Sequence, residues 1–335
     1  RLSLHAPEGT KNIEVFDMDG SPLQSFDLKT YPALVGVPVR VFVKAEIPAF
    51  GYRAFLWRKS DNTEEKTGID AENGVFTIEN ERFRISADNR RITGIFDKKA
   101  DRPAFSENSG NLAIGSDIGS AWGRNEPESS HRVLFADSVR AEKTESFSRL
   151  IMEGHLEGDF TNRTVLRWTQ TVTLRNGEEL VRFFTETDWH GENSRIFASF
   201  TPAFPFGDKL ISEVPFGTME REEPEIINCL GLTDEWPSLG FAGVSGGNYS
   251  AAVLKGGLPA SRLHDGRLQI SLLRAFTSDD PKYSGTNDNG YHAAEYALTA
   301  WEGNFADGGC SSLAARFNFS GYTKELTSPG KWNGK

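Results

Sequence analysis

The chain has 335 residues, enough for about two domains and a sizeable core. With 38% hydrophobic and 25% charged residues and no apolar run long enough to span a bilayer, the composition excludes a membrane-spanning protein and a wholly disordered one. Lys plus Arg number 37 against 47 Asp plus Glu; the net charge of −10, with the basic residues scattered, argues against a nucleic-acid partner.

Apolar residues recur at period two almost from end to end, which makes the expected fold class all-β. Ile13 and Val15 predict a short strand, Asp19 and Gly20 a turn, and Val37, Val39, Val41 and Val43, alternating with Pro38, Arg40 and Phe42, a further strand. These suit a small β-sandwich over residues 1–60. The Asp-, Asn-, Glu- and Lys-rich run that follows reads as a linker or long hairpin tip at 61–73, ahead of a large domain at 74–320 and a tail at 321–335. Val75 to Ser86 reads as two strands around Glu79 and Asn80, and Arg91 to Phe96 as a third before Asp97, Lys98 and Lys99 turn the chain.

The clearest hairpin is Thr164 to Trp189: Leu166, Trp168, Val172 and Leu174 share one face up to Asn176-Gly177, and Val181, Phe183 and Trp189 follow. Later strands are predicted at Ile196–Phe200, Tyr249–Leu254, Arg267–Arg274, Tyr291–Leu298 and Leu313–Phe317, a number that requires two large packed sheets in one domain. Two long polar, Gly-rich stretches, Glu107 to Ser130 and Thr277 to Gly290, read as functional or mobile loops, and Gly240 to Gly247 as turns.

Chemistry-bearing signals are sparse. The two cysteines, Cys229 and Cys310, have no CxxC spacing, which removes a disulfide scaffold and a thiolate zinc site and leaves two buried free thiols as the expectation. The six histidines form no His-x-His, His-x-Asp or HExxH pattern, so no metal ligand is assigned. Nucleophile elbows and phosphate-binding loops are missing too.

One local constellation stands out. Leu268, Ile270 and Leu272 share a strand face that Arg274 continues, followed by the acids Asp279, Asp280 and Asp288. The guanidinium can fork onto sugar hydroxyls or a carboxylate, or it can staple the acidic loop through an Arg–Asp pair. Trp168 and Trp189 read as core, while Trp122 and Trp236, in loop contexts, can equally cover a sugar face. His292 and Tyr296 alternate on one strand face and either pack or point into a cleft.

Several segments, in chain order, resemble the C-terminal β region of the family 38 glycoside hydrolases, the zinc-dependent alpha-mannosidases. They are Ile47-Pro-Ala-Phe-Gly-Tyr52, Ile78-Glu-Asn-Glu-Arg-Phe-Arg-Ile85, Arg91-Ile-Thr-Gly-Ile-Phe-Asp-Lys-Lys99, Thr187-Asp-Trp-His190, Glu213-Val-Pro-Phe-Gly-Thr-Met-Glu-Arg221, Ala252-Val-Leu254, Ile270-Ser-Leu-Leu-Arg274 and Asp288-Asn-Gly-Tyr-His292. The series spans roughly residues 47 to 320. The resemblance implies a small β-domain followed by a large galactose mutarotase-like supersandwich, packed in the parent enzyme beside a catalytic α/β barrel.

On that barrel it implies a zinc held by His and Asp, an Asp nucleophile and a carboxylic general acid, with retention of anomeric configuration. No segment here resembles the barrel, so no catalytic, cofactor-binding or metal residue is carried over. The stretch around Arg274, Asp279 and Asp280 resembles the part that leans toward the sugar site; with His292 and Trp122 these are the substrate-proximal candidates. The implied partners are the parent's own N-terminal catalytic barrel and mannose-containing glycans. A departure from the family pattern, Glu222-Glu-Pro-Glu225 with Asp234-Glu-Trp236 after the Val-Pro-Phe-Gly motif, leaves substrate choice open. The start at Arg1 reads as an excision, and a cytoplasmic location is expected. Two alternatives stand beside this reading: an independent mutarotase-like epimerase, which needs His and Glu facing one cleft, and a carbohydrate-binding module.

Overall fold

A computed structural model describes residues 2–4, 12–23, 25–29, 39–43, 45–48, 51–60, 65–119, 131–158, 163–222, 225–227, 231–233, 235–276 and 287–319. The chain divides into two compact units, the first built on Arg1–Lys66 and the second on Thr67–Lys143 and Phe147–Asn318. Every strand pairing described is antiparallel, as consecutive hairpin connections allow.

The small unit holds two three-stranded sheets: Leu2–Leu4, Val39–Val43 and Ser25–Lys29 in one, and Pro22–Leu23, Asn12–Asp17 and Phe55–Ser60 in the other. Ile13 and Val15, the alternating pair of the sequence, are buried against Leu23, Val43, Phe55 and Trp57.

The large unit is a supersandwich. Its ten-stranded sheet runs in the order Gly217–Glu222, Lys209–Val214, Phe241–Gly246, Tyr249–Lys255, Gly290–Glu302, Val181–Trp189, Thr164–Arg175, Phe147–Glu157, Ser138–Lys143 and Thr67–Ile69. Its six-stranded sheet runs Arg132–Val133, Asn111–Ser116, Ser194–Phe200, Arg267–Ala275, Ala260–His264 and Glu235–Pro237. A four-stranded meander of Phe76–Glu79, Phe83–Ala87, Ile92–Asp97 and Arg102–Phe105 contributes Phe83, Ile85, Ile92 and Ile95 to the same core. The expected all-β class and two-sheet arrangement are what the molecule has.

The inner faces of the sheets meet through aromatic rings. Phe183 stacks on Tyr296 with centroids 5.2 Å apart, and Phe200 of the six-stranded sheet meets Phe183 edge-on at 5.5 Å. The Tyr296 hydroxyl, deep in this layer, is bonded to Gln170 at 2.9 Å and to Thr185 at 3.0 Å, so its burial leaves no polar atom of the ring unmatched. The Thr164–Arg175 and Val181–Trp189 hairpin has the face assignment read from sequence: Leu166, Trp168, Val172, Leu174, Val181, Phe183 and Trp189 are all buried. Where Asp97 turns the chain, its carboxylate accepts the N–H groups of Lys99 and Ala100 and also the Tyr249 hydroxyl at 2.7 Å.

Four expectations are corrected. Leu313–Phe317 is not a strand but part of an α-helix, Cys310–Asn318. Leu313, Ala315 and Phe317 mimic period two, yet the buried positions are Cys310, Ala314 and Phe317, the spacing of one helix face, and they pack on Phe241, Leu254 and Leu180. Glu107–Ser130 is not loop throughout, since Asn111–Ser116 is an interior strand buried on both faces, and a strand with two buried faces shows no alternation. Gly240–Gly247 holds the strand Phe241–Gly246: Gly243 and Gly246 are needed because backbone and ring atoms of Ala251, Phe305 and Pro205 occupy the space a Cβ would take. Trp236 lies not in a loop but in the strand Glu235–Pro237, with its ring buried in the core. Within the stretch read as a linker, Thr67–Ile69 forms a short edge strand against Ser138–Lys143. No helix among the described residues is long and apolar enough to cross a membrane.

Candidate functional site

Arg274 sits near the end of the strand Arg267–Ala275, and the strand reaches that point through a bulge. Ile196 pairs with Leu273 whereas Phe197 pairs with Ser271, so Leu272 is the extra residue. The expectation that Arg274 continues the face of Leu268 and Ile270 is therefore wrong. Beyond the bulge the parity reverses: Leu273 and Ala275 join the core, and Arg274 turns to the outer face of the six-stranded sheet beside Arg195, its cross-strand neighbour.

There its Nε donates to Asp117 Oδ2 at 2.6 Å and its guanidinium lies 4.9 Å from the centre of the Phe276 ring. Asp117, fully buried just after the strand Asn111–Ser116, is fixed twice more: its N–H donates to the Asn193 carbonyl at 2.8 Å, and its Oδ1 accepts the Gly119 N–H at 3.0 Å. Arg274 is thus a member of an Arg–Asp pair, with a partner that sequence reasoning had not offered.

The same outer face carries a buried polar layer. Arg195 donates to both oxygens of Glu235 and to Ser271 Oγ at 2.9 Å, and Arg262 donates to Gln269 at 2.7 Å. Phe197 lies under both guanidiniums, 4.1 Å from Arg262 and 5.2 Å from Arg195. Alternation in the sequence marks these residues as polar and hence apparently solvent-facing, so no sequence signal separated them from an exposed face.

At the same end of the sandwich, next to Asp117, a cleft of about 700 Å³ opens between Ser116, Ser194 and the ends of the ten-stranded sheet. Its walls carry Arg132 and Arg163, Glu157 and Glu192, and the amides of Asn287 and Asn289, with Trp189 and His190 at its base. The Trp189 N–H is bonded to the Asn287 carbonyl at 3.0 Å, and His190 Nε2 is 2.8 Å from Asp188. Donors and acceptors of both charges around a partly apolar floor suit a polyhydroxylated ligand.

His292 is half-buried, opposite Thr187, and its Nε2 lies 2.7 Å from the Asp288 carbonyl, closing the turn through Asp288 and Gly290. It does not line the cleft described. Asp279, Asp280 and Trp122 lie outside the described residues, as does Cys229. Cys310 is a buried free thiol that burial pushes up to about 12. Among the described residues no three His, Cys, Asp or Glu side chains converge on a point that would hold a metal ion, so the zinc implied by the resemblance has no ligand set among them.

A buried cation was missed altogether. Lys255 is fully buried; its ammonium donates to the Ser238 carbonyl at 2.8 Å and to the Ser238 hydroxyl, which in turn meets Ser261 Oγ at 2.8 Å. Burial lowers its pKa to about 8. The arrangement ties the strand Tyr249–Lys255 to the turn that opens Phe241–Gly246.

Comparison with known proteins places this geometry in a family. The mouse and human proteins named "Alpha-mannosidase 2C1" are similar to this chain over 153 residues, at 28% and 29% identity; for both, the stretch is 46% of this chain and 14% of the relative. The matched stretch is thus a small part of those longer proteins. An alpha-mannosidase from Enterococcus faecalis V583 has the same fold over 92% of this chain and 40% of its own, with a TM-score of 0.66 at 15% identity. The family model for the glycosyl hydrolases family 38 C-terminal domain matches residues 78–282, well over half of the chain, and to that family the chain belongs.

Proposed function

We propose that the chain is the non-catalytic C-terminal part of a retaining alpha-mannosidase, supporting a catalytic barrel and bordering its sugar site, in a parent that hydrolyses alpha-mannosides with a zinc held on the barrel. The observation that carries this reading is the family match over residues 78–282, joined to a likeness in fold that takes in 92% of this chain but 40% of the solved alpha-mannosidase. The barrel and mannose-containing glycans are its partners in this reading.

Arg274, Asp279, Asp280, His292 and Trp122 remain the substrate-proximal candidates. The rigid Arg274–Asp117 pair supports that role by fixing the point from which the 277–286 segment departs. The pure chain, with or without zinc, is expected to leave aryl alpha-mannosides intact, while the full-length protein cleaves them; turnover by the chain alone rejects the reading. In the full-length enzyme, Asp279→Asn with Asp280→Asn is expected to raise KM several-fold without shifting unfolding, and an unchanged KM removes these acids from the sugar border. A mutarotase-like activity would draw on His190 with Glu157 or Glu192, which line one cleft. No acceleration of anomer equilibration is expected on the non-catalytic reading, and an acceleration that His190→Ala abolishes would favour the mutarotase-like alternative.

A further inference from the structure

The hairpin Lys209–Val214 and Gly217–Glu222 has a tip that its own energetics does not explain. Val214 pairs with Gly217, leaving Pro215 and Phe216 as the loop. Phe216 has φ +68°, in the left-handed region where glycine or asparagine is the unstrained choice after a proline, and its ring is completely exposed to solvent. A bulky apolar side chain is thus held in an unfavourable backbone conformation with nothing covering it on the described surface. Strand Gly217–Glu222 is the outermost of its sheet among the described residues, and it presents Met219 at 41% exposure.

Leu239, 54% exposed, sits in a turn bonded to the same hairpin: its N–H donates to the Glu213 carbonyl at 2.9 Å, and the next N–H, of Gly240, donates to Glu213 Oε2 at 2.6 Å. Lys255 holds that turn from behind through Ser238. The apolar groups are therefore presented on a fixed frame, as a binding surface requires.

We propose that this hairpin is a docking surface for the N-terminal remainder of the same polypeptide, with the Phe216 ring entering an apolar pocket there. The inference rests on the reading of the chain as one part of a longer mannosidase. The occupant follows from length: the solved alpha-mannosidase whose fold this chain shares has 60% of its own length outside the overlap, since the overlap takes up 40%. A second copy of the chain pairing edge to edge is disfavoured, because the outer strand carries Glu220 and Glu222, both engaged by Lys209, together with Arg221.

Peroxide oxidation of methionines, read by mass spectrometry, tests this in the full-length protein and in the 335-residue chain. In the chain, Met219 and Met18, each 41% exposed, are expected to oxidise at similar rates, with buried Met152 far slower. In the full-length protein Met219 is expected to slow about tenfold or more as the hairpin is covered. Phe216→Gly sharpens the test. In the chain it relieves the positive φ and leaves melting unchanged or raised; in the full-length protein it restores Met219 reactivity toward that of the chain.

An active full-length mannosidase in which Met219 reacts as fast as in the chain overturns the docking inference and leaves the family reading intact. A full-length protein without mannosidase activity and without protection overturns both. Protection that appears in the chain alone and grows with its concentration assigns the surface to a second copy instead and overturns the proposal.

Discussion

Two buried layers lie back to back on the six-stranded sheet, and they are held by different physics. On the inner side Leu112, Ile114, Ile196, Ala198, Phe200, Leu268 and Ile270 pack into the common core, where burial of apolar area supplies the stabilisation. On the outer side Arg195, Ser199, Arg262, Gln269 and Ser271 are equally buried, but each is polar and bonded to a neighbour. Burial and polarity are therefore independent here. A layer of the second kind is useful for specifying geometry but weak as a source of net stability, because desolvation offsets most of the ion-pair gain.

The most drastic way to break this comparison is to exchange the layers. Inserting one alanine between Leu273 and Arg274 shifts the register by one, so that Arg274 points into the apolar layer or Leu268, Ile270 and Leu273 point out of it. The expected cost is more than about 5 kcal/mol, read as loss of the cooperative urea transition. Retention of a native-like transition would show that strand register does not assign the faces.

The bulge also marks how far the sequence can be read. In the Thr164–Trp189 hairpin the register runs without interruption from Leu166 opposite Trp189 to Leu174 opposite Val181, so counting by two places each side chain on its correct face. At Leu272 the same count fails, because nothing in the residue types marks an inserted position; Leu272 and Leu273 are simply adjacent leucines. Asn111–Ser116 failed for a related reason: a strand covered on both faces loses the polar half of the pattern. The helix Cys310–Asn318 is too short for its period to stand out in the window Leu313–Phe317. Arg274 was legible as an unusual charge at a strand end, but Asp117, 157 positions away, was not, since pairing across a sheet leaves no local trace.

Within the polar layer, the next largest effect is expected from Glu235→Gln, which leaves the Arg195 guanidinium buried against a neutral amide. A loss of about 3 kcal/mol is expected, and the double replacement Arg195→Met with Glu235→Leu should recover most of it, because an apolar pair has no charge to desolvate. A double replacement as damaging as Glu235→Gln would mean that the outer layer is a true source of stability and erase the contrast with the inner one. Asp117→Asn should cost less, about 1–2 kcal/mol, since Arg274 is about a quarter exposed and water compensates part of the lost charge. The turn survives in that variant because an amide oxygen still accepts the Gly119 N–H.

The smallest effect probes the exception within the apolar layer. Lys255 follows Tyr249, Ala251 and Val253 on the inner face, so an ammonium lies where its neighbours are apolar. Burial lowers its pKa from 10.5 to about 8, against the attraction of Glu235 and Glu213. Below pH 8 the group is charged in the folded and unfolded chain alike, and the penalty for burying the charge is complete. Between pH 8 and 10.5 the folded chain is neutral there while the unfolded chain still holds the proton; the unfolded state binds more protons, so stability rises with pH. Cys310 acts with the opposite sign above pH 9, because the unfolded thiol releases a proton that the buried one, raised to about 12, retains. In the interval from pH 8 to 9 the unfolded thiol is still mostly protonated, so the lysine contributes the larger share of the change. A gain of about 1 kcal/mol is expected across it from urea midpoints, and Lys255→Met, which keeps the apolar stem, should abolish the gain while leaving the Cys310 slope above it. If the variant keeps the rise, the ammonium is already solvated, and the inner layer is wetter at the Ser238 turn than the packing around Val253 indicates.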